Sequence, residues 1–212
     1  MQTILALECA HEACSAAVWK DGRIRASEKK DMERGQAEAL FPMILRVMAE
    51  AGCGFDDVNV VAVTIGPGSF TGVRVGLAAA RGIAMAAGIP MVGISVLEGT
   101  AFKVSGLFPE IRDVYVVLET RRDDFYVQRF SGGRPVSEPA VMSGEALKAV
   151  ADIPVAGNGA LRFAEEFGPA RVLEVPMPDA ADVAVLASAR APEETHPSPL
   201  YLREAEVSGC RK

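Results

Sequence analysis

Aromatic residues are scarce in this sequence, at 6% of 212 residues with a single Trp. A core of stacked rings is thereby excluded, and Ala, Val, Ile, Leu and Met must fill it. Half of the residues are hydrophobic, and a chain of this length buries roughly 70% of its unfolded surface. That is enough for one large domain or two small lobes. Positive charge is also in short supply: 22 Lys and Arg stand against 28 Asp and Glu, for a net charge of -6. A protein that binds nucleic acid unaided usually carries a basic face, so strong direct RNA binding is disfavoured. Arg121-Arg122 and Arg203 are what remains for a local patch, and solvated or paired arginines are the more ordinary reading of them.

The usual catalytic and metal-binding sets are missing too. Only two histidines occur, His11 and His196, with no His-x-x-x-His or Cys-His cluster, so a zinc or iron site has no support. No Gly-x-Ser-x-Gly elbow is present. The four cysteines, Cys9, Cys14, Cys53 and Cys210, form no Cys-x-x-Cys pair. Residues 1–7 have neither the charged lead-in nor the length of a secretory signal, so reduced thiols in the cytoplasm are expected. The longest apolar-rich stretch, 73–91, contains Arg74 and Arg81, which argues against a membrane span.

What is there reads as an α/β chain. Strands are expected at 3–8, 13–20 and 23–30, with Asp21-Gly22 as a two-residue hairpin turn. Ala37, Leu40, Phe41, Ile44, Leu45, Met48 and Ala51 recur at helical spacing and mark one apolar face. Gly52 and Gly54 end that helix, while Pro42 either kinks it or sits just inside its start. Residues 58–65 form an almost unbroken apolar run, as in a strand covered on both faces. A helix over about 71–87 follows, then a strand at 89–94 and a helix capped by Ser95. Strands at 114–119, 125–130, 153–156 and 171–175 and helices at 160–167 and about 179–191 complete the order. Two α/β lobes in one chain fit this order better than a continuous doubly wound sheet. The expected boundary lies near 105–111, giving lobes 1–104 and 105–212.

The sharpest segment runs from Gly66 to Gly76, reading Gly-Pro-Gly-Ser-Phe-Thr-Gly-Val-Arg-Val-Gly. Gly66, Gly68 and Ser69 turn the chain from a strand into a helix, a corner whose free N–H groups can hold an anion. It is not a P-loop, since no Gly-Lys-Ser/Thr follows. A tight, closely packed turn explains the same residues at least as well. Gly72, Gly76, Ala80, Ala84 and Gly88 then form a ridge of small residues along one side of the helix. Glycine inside a helix costs about 0.5–1 kcal/mol against alanine, so a close neighbour should offset it, either within the chain or in a partner. Glu8, at the end of the first strand, stands where a nucleotide-binding fold holds metal and phosphate, although a lone Glu and a lone His at a turn are more often surface residues. Gly157-Asn158-Gly159-Ala160 is a second glycine turn before a helix and a weak phosphate or adenosine corner.

Together these segments resemble the TsaB (YeaZ) family, within the TsaD/Kae1-like superfamily that also carries peptidase M22-like and glycoprotease labels. The resemblance is carried by residues 4–8 with 13–18, Leu40-Phe41-Pro42-Met43-Ile44, the specific string 66–74, Gly93-Ile94-Ser95-Val96-Leu97, Thr120-Arg121-Arg122 before Phe125-Tyr126, 157–160, and Pro199-Leu200-Tyr201-Leu202-Arg203. It implies a two-lobed actin/Hsp70/sugar-kinase-like (ribonuclease H-like) fold. It implies a non-catalytic subunit that pairs with TsaD, is joined by TsaE and a nucleotide, and reaches tRNA only through a complex that transfers threonylcarbamoyl to adenosine. ATP and metal then belong to the partners, and no cofactor or metal is expected on this chain. Two departures agree with a non-catalytic member. Gln36-Ala37-Glu38 replaces the family's frequent His-Ser-Glu, and Glu8-Cys9-Ala10 replaces its Asp-Thr-Ser.

The resemblance also implies an interface built by the two N-lobe helices, with TsaD or with a second copy. On this reading Leu40, Phe41, Ile44, Leu45 and Met48 of the first helix, and Gly72, Val73, Gly76, Leu77, Ala80 and Ala84 of the second, bury against the partner. Gly76→Leu should then abolish pairing and leave the monomer folded. Two competing classes remain: a self-sufficient ATPase or small-molecule kinase using Glu8 and 157–160, and an RNA-binding module with salt-sensitive tRNA affinity.

Overall fold

The structure, a computed structural model, describes residues 2–120, 122–150, 152–192 and 196–202. Arg121, Arg203 and Cys210 lie outside the described residues. Strands β1 (Thr3–Glu8), β2 (Ala13–Lys20) and β3 (Arg23–Asp31) form an antiparallel meander. Asp21 and Gly22 both take positive φ, 51° and 86°, as the expected hairpin turn requires. Helix α1 (Gln36–Ala51) leads through a 3₁₀ turn to β4 (Val60–Thr64), then α2 (Phe70–Ala87), β5 (Met91–Ile94) and α3 (Val96–Leu107). The first sheet has the order β3-β2-β1-β4-β5, with β4 parallel to both β1 and β5.

The period of two along β1 divides this sheet's two faces. Leu5 and Leu7 join the core that contains Leu40, Met43, Ile44, Val47 and Met48 of α1 and Val73, Leu77, Ala80 and Ala84 of α2. Ile4 and Ala6 join a separate cluster with Val183, Ala184 and Ala187 of the last helix, α6 (Ala180–Ser188). Burial on both sides explains why β1 and β4 read as unbroken apolar runs.

The second sheet contains β6 (Asp113–Glu119), β7 (Asp124–Ser131), β8 (Arg134–Pro135), β9 (Ala140–Ser143), β10 (Val155–Ala156) and β11 (Val172–Leu173). Its order is β11-β10-β6-β7-β8, with β9 beside β7. Helix α5 (Ala160–Phe167) sets Phe163 and Phe167 edge-on to Phe125, with ring centroids 5.9 and 6.2 Å away. The short helix α4 (Gly144–Lys148) packs beside it.

The expected lobe 105–212 needs correction at its end. α6 packs on β1 and β2 of the first sheet, and the amide of Ala180 donates to Ser15 Oγ at 2.9 Å. Residues 196–202 also return to the first lobe, where Leu200 N donates to Ile65 O at 2.8 Å. An apolar helix such as 180–188 completes whichever sheet face is left open, and no local signal tells which. Pro42 lies inside α1 rather than at its start.

α3 is fixed at its start by a reciprocal capping box. Ser95 Oγ accepts from Glu98 N at 3.0 Å, and Ser95 N donates to Glu98 Oε2 at 3.1 Å. The other oxygen of Glu98 pairs with Arg190 at 2.6 Å. Loss of such a cap typically costs about 1 kcal/mol. Ser95→Ala should therefore lower the melting temperature by about 2–4 °C for a chain of this size, and Ser95→Asp, which still caps, should restore most of it in the same thermal scan.

Candidate functional site: a filled glycine corner and an open helix face

The Gly66–Gly76 segment joins β4 to α2 at the sheet's C-terminal edge, beside the β1–β2 turn. Ser69 caps α2, its hydroxyl accepting from Gly72 N at 3.2 Å. The Ser69 amide donates to Ala10 O at 2.6 Å. A Cβ on Gly68 would collide with the Ala10 carbonyl oxygen, and one on Gly72 with the Cys9 carbonyl oxygen. Gly66, at φ 97°, accepts from Val96 N at 2.8 Å. Of the two readings of this corner, close backbone packing accounts for Gly68 and Gly72, because carbonyl oxygens of the same chain stand against them. An anion seated there would face those oxygens.

Glu8, the candidate phosphate or metal carboxylate, is fully buried and does not take the surface position that was its ordinary alternative. Its Oε1 accepts from Ala10 N at 2.5 Å and lies 3.1 Å from His11 Nδ1, while Oε2 has no hydrogen-bond partner among the described residues. Glu8 thus braces the turn whose carbonyls fill the glycine corner. The hairpin connection is too short to leave a carboxylate at its base in solvent.

Gly157 and Gly159 lie in the other lobe. A Cβ on Gly157, at φ 109°, would stand 2.5 Å from Val117 O, and one on Gly159 would stand 3.0 Å from Glu119 N. Asn158 Oδ1 accepts from Glu119 N at 3.1 Å. These residues let the turn close on β6. Gly157 and Asn158 line a shallow groove of about 460 Å³ with Leu161 and residues 172–176. Gly66, Gly68 and Arg74 line another of about 270 Å³, closed by Tyr126 and residues 200–202. The two glycine corners line these two different grooves. Among the described residues, no three His, Cys, Asp or Glu side chains stand together as a metal site.

The expected interface set is divided by the fold. Leu40, Ile44 and Met48 of α1, and Gly72, Val73, Gly76, Leu77, Ala80 and Ala84 of α2, are buried within the chain. Gly76 lies over Val63 and Cys9, with a Cβ position 3.5 and 3.8 Å from them. The small-residue ridge lets α2 approach its own sheet. The side chains of these nine residues are used by the chain's own core, so Gly76→Leu is now expected to disturb the monomer as well as any pairing. Phe41 and Leu45 remain open, 50% and 48% exposed.

Sequence reasoning missed the other side of α2. Ala78, Gly82 and Met85 are exposed there, with Val75 and Ala79 half-buried between them. Met85 is 71% exposed. A Cβ on Gly82 would meet nothing within 4 Å. These residues also repeat at spacings of three and four, so the helix carries two stripes of small or apolar residues, and periodicity alone does not say which one faces the sheet. At the helix start, Phe70 stacks on Tyr201, and Arg74 lies 3.5 Å from the Phe70 ring centroid while donating to Tyr201 Oη at 3.0 Å.

Two α/β lobes, each with helices packed on a mixed sheet, and a glycine corner at the strand ends define a protein of the actin/Hsp70/sugar-kinase-like class. Component A of (R)-2-hydroxyglutaryl-CoA dehydratase from Acidaminococcus fermentans shares this fold, with a TM-score of 0.51 over 88% of this chain and 97% of that one at 12% identity. The family model for TsaD, tRNA N6-adenosine threonylcarbamoyltransferase, matches residues 28–196. A Pseudomonas aeruginosa crystal structure described as similar to peptidase YeaZ superposes with a TM-score of 0.84 at 30% identity, covering 96% of this chain and 100% of that one. The Escherichia coli (strain K12) tRNA threonylcarbamoyladenosine biosynthesis protein TsaB is 42% identical over 94 residues, which is 44% of this chain and 40% of that protein. The chain belongs to the TsaB (YeaZ) family, within the wider TsaD family. It spans between 40% and 52% of the length of the curated TsaB relatives it matches.

Proposed function

We propose that this chain is a non-catalytic partner of a TsaD homologue in the transfer of threonylcarbamoyl to adenosine in tRNA. It docks through the outer face of α1 and α2, is joined by a TsaE homologue, and reaches tRNA only through the complex, in the cytoplasm. ATP and metal are held by the partners. The observation that carries the reading is the set of open residues Phe41 and Leu45 on α1 and Ala78, Gly82 and Met85 on α2, with Val75 half-buried beside the latter. A helix-interior glycine costs about 1 kcal/mol relative to alanine, and no contact among the described residues requires one at Gly82. Close approach of another surface supplies a reason for it. At the glycine corner, the carbonyls of Cys9 and Ala10 stand against Gly72 and Gly68, so these glycines are accounted for by packing without a bound phosphate.

The test is to mix the purified chain with the TsaD homologue of its organism and measure mass by size exclusion with light scattering, with and without ATP. A one-to-one complex is expected. A homodimer that persists in the mixture would assign the face to a second copy instead. No complex in either condition, together with nucleotide turnover by this chain alone, would replace the proposal with the self-sufficient ATPase or kinase.

A further inference from the structure

The register of the first hairpin brings together two cysteines that sequence spacing keeps apart. Glu8 pairs with Ser15 across β1 and β2, so the next step of the same register sets Cys9 opposite Cys14. Directly opposed antiparallel residues have Cα atoms about 4.5–5.5 Å apart, inside the range of about 4.4–6.8 Å that a disulfide spans. The sulfur atoms stand 3.5 Å apart. Both thiols are buried, but the turn between them rises to an exposed Glu12, so opening of a few residues admits a small oxidant.

We propose that Cys9 and Cys14 are a redox-active dithiol, oxidised by hydrogen peroxide to an intrachain disulfide that clamps the turn beneath α2. In the first step the Cys14 thiol loses its proton and the thiolate attacks one peroxide oxygen; the O–O bond breaks, the departing hydroxide takes up that proton as water, and Cys14 becomes a sulfenic acid. In the second step the Cys9 sulfur attacks the Cys14 sulfur and the S–O bond breaks. The Cys9 proton and the departing hydroxyl form water. Two thiols and one peroxide thus give one disulfide and two waters, with two electrons passing to the peroxide. The division of roles follows the contact between the sulfurs. Either sulfur can donate in this contact; with Cys9 as the donor, the shared hydrogen bond lowers the Cys14 thiol from its ordinary range. That same hydrogen bond, with burial, pushes the Cys9 thiol up. A depressed thiol is the better nucleophile toward peroxide.

The bond lies at a point that matters to the fold. The Cys9 carbonyl sits against Gly72, and the neighbouring Ala10 carbonyl accepts the Ser69 amide at the start of α2. Clamping the turn should slow the opening through which that amide exchanges.

The experiment exposes the folded full chain to hydrogen peroxide, blocks the remaining thiols with an alkylating reagent and maps the peptides by mass. The expected product is a Cys9–Cys14 cross-link lighter by two hydrogens, formed in native protein and returned to thiols by dithiothreitol. In Cys9→Ala, whose Cys14 has no resolving partner, a sulfenic acid trappable by dimedone should accumulate. Hydrogen exchange should show the Ser69 amide several-fold slower in the oxidised form. The proposal fails if the native pair stays reduced while Cys53 is oxidised, or if the cross-link forms only in urea. A cross-link without slower exchange at Ser69 would remove the clamping role. The wild-type mapping decides the matter even if Cys9→Ala does not fold.

Discussion

Leu45→Asp combined with Met85→Asp should leave the monomer as stable as before and weaken its pairing with the TsaD homologue by about 100-fold or more. Both side chains are largely open, 48% and 71% exposed, and surface substitutions of this kind usually change stability by no more than about 0.5 kcal/mol. In the proposed docked state the same positions would lie in the apolar centre of the interface, where a few buried side chains carry most of the affinity. Burying an unpaired carboxylate there costs several kcal/mol, and a 100-fold loss corresponds to about 2.8 kcal/mol. Leu161→Asp is the matched control. Leu161 is 60% exposed but sits in the second lobe, so its change should leave pairing intact. Titration calorimetry or analytical ultracentrifugation reads all three proteins. Undiminished pairing by the double variant would remove α1 and α2 as the docking face, and loss of pairing in the control would move the interface to the second lobe.

The element order was legible where local chemistry is strong. The β1–β3 meander, the Asp21-Gly22 turn and the Ser95 cap follow from period, turn residues and a side-chain acceptor, all of which act within a few residues. The short strands β8 and β9, and α4, were not anticipated. The two strands are only two and four residues long and exist because β7 offers them an edge to pair with, and α4 is a five-residue helix that packs beside α5. The attachment of α6 to the first sheet was equally silent. Its residues are apolar on nearly every side, so they do not record which face they cover.

The candidate site was legible as a list of residues and not as a set of directions. Phe41 and Leu45 belong to the same sequence pattern as Leu40, Ile44 and Met48, yet the helix turns the first two outward. The seven-residue reading of α1 counted apolar side chains without knowing how wide a stripe the sheet would accept. The Cys9–Cys14 pair shows the same limit. Sequence separation places them apart as a motif, while strand register places them side by side.

Glycines on opposite sides of α2 give the sharpest separation of fold from function. Gly72→Ala should destabilise the monomer by at least about 3 kcal/mol, at the upper end for overpacking, because its Cβ would collide with the Cys9 carbonyl oxygen. That obstacle is backbone, held by β1 and by the Glu8-braced turn, and it has no rotamer through which to move aside. The expected loss in melting temperature is about 6–12 °C for a chain of this size. Gly76→Leu should also destabilise, through Val63 and Cys9. Gly82→Ala runs the other way. Its Cβ enters open space in a helix interior, so the monomer should gain about 0.5–1 kcal/mol. If a partner helix or sheet lies close over Gly82, the same methyl group should weaken docking, and Gly82→Trp should abolish it while the monomer stays folded. Thermal unfolding and pairing measured on the same proteins separate the two sides. Gly72→Ala lowers the first, and Gly82→Trp lowers only the second. A Gly82→Trp chain that pairs normally would show that the open side of α2 is left to solvent, and the glycine there would then be without a physical role.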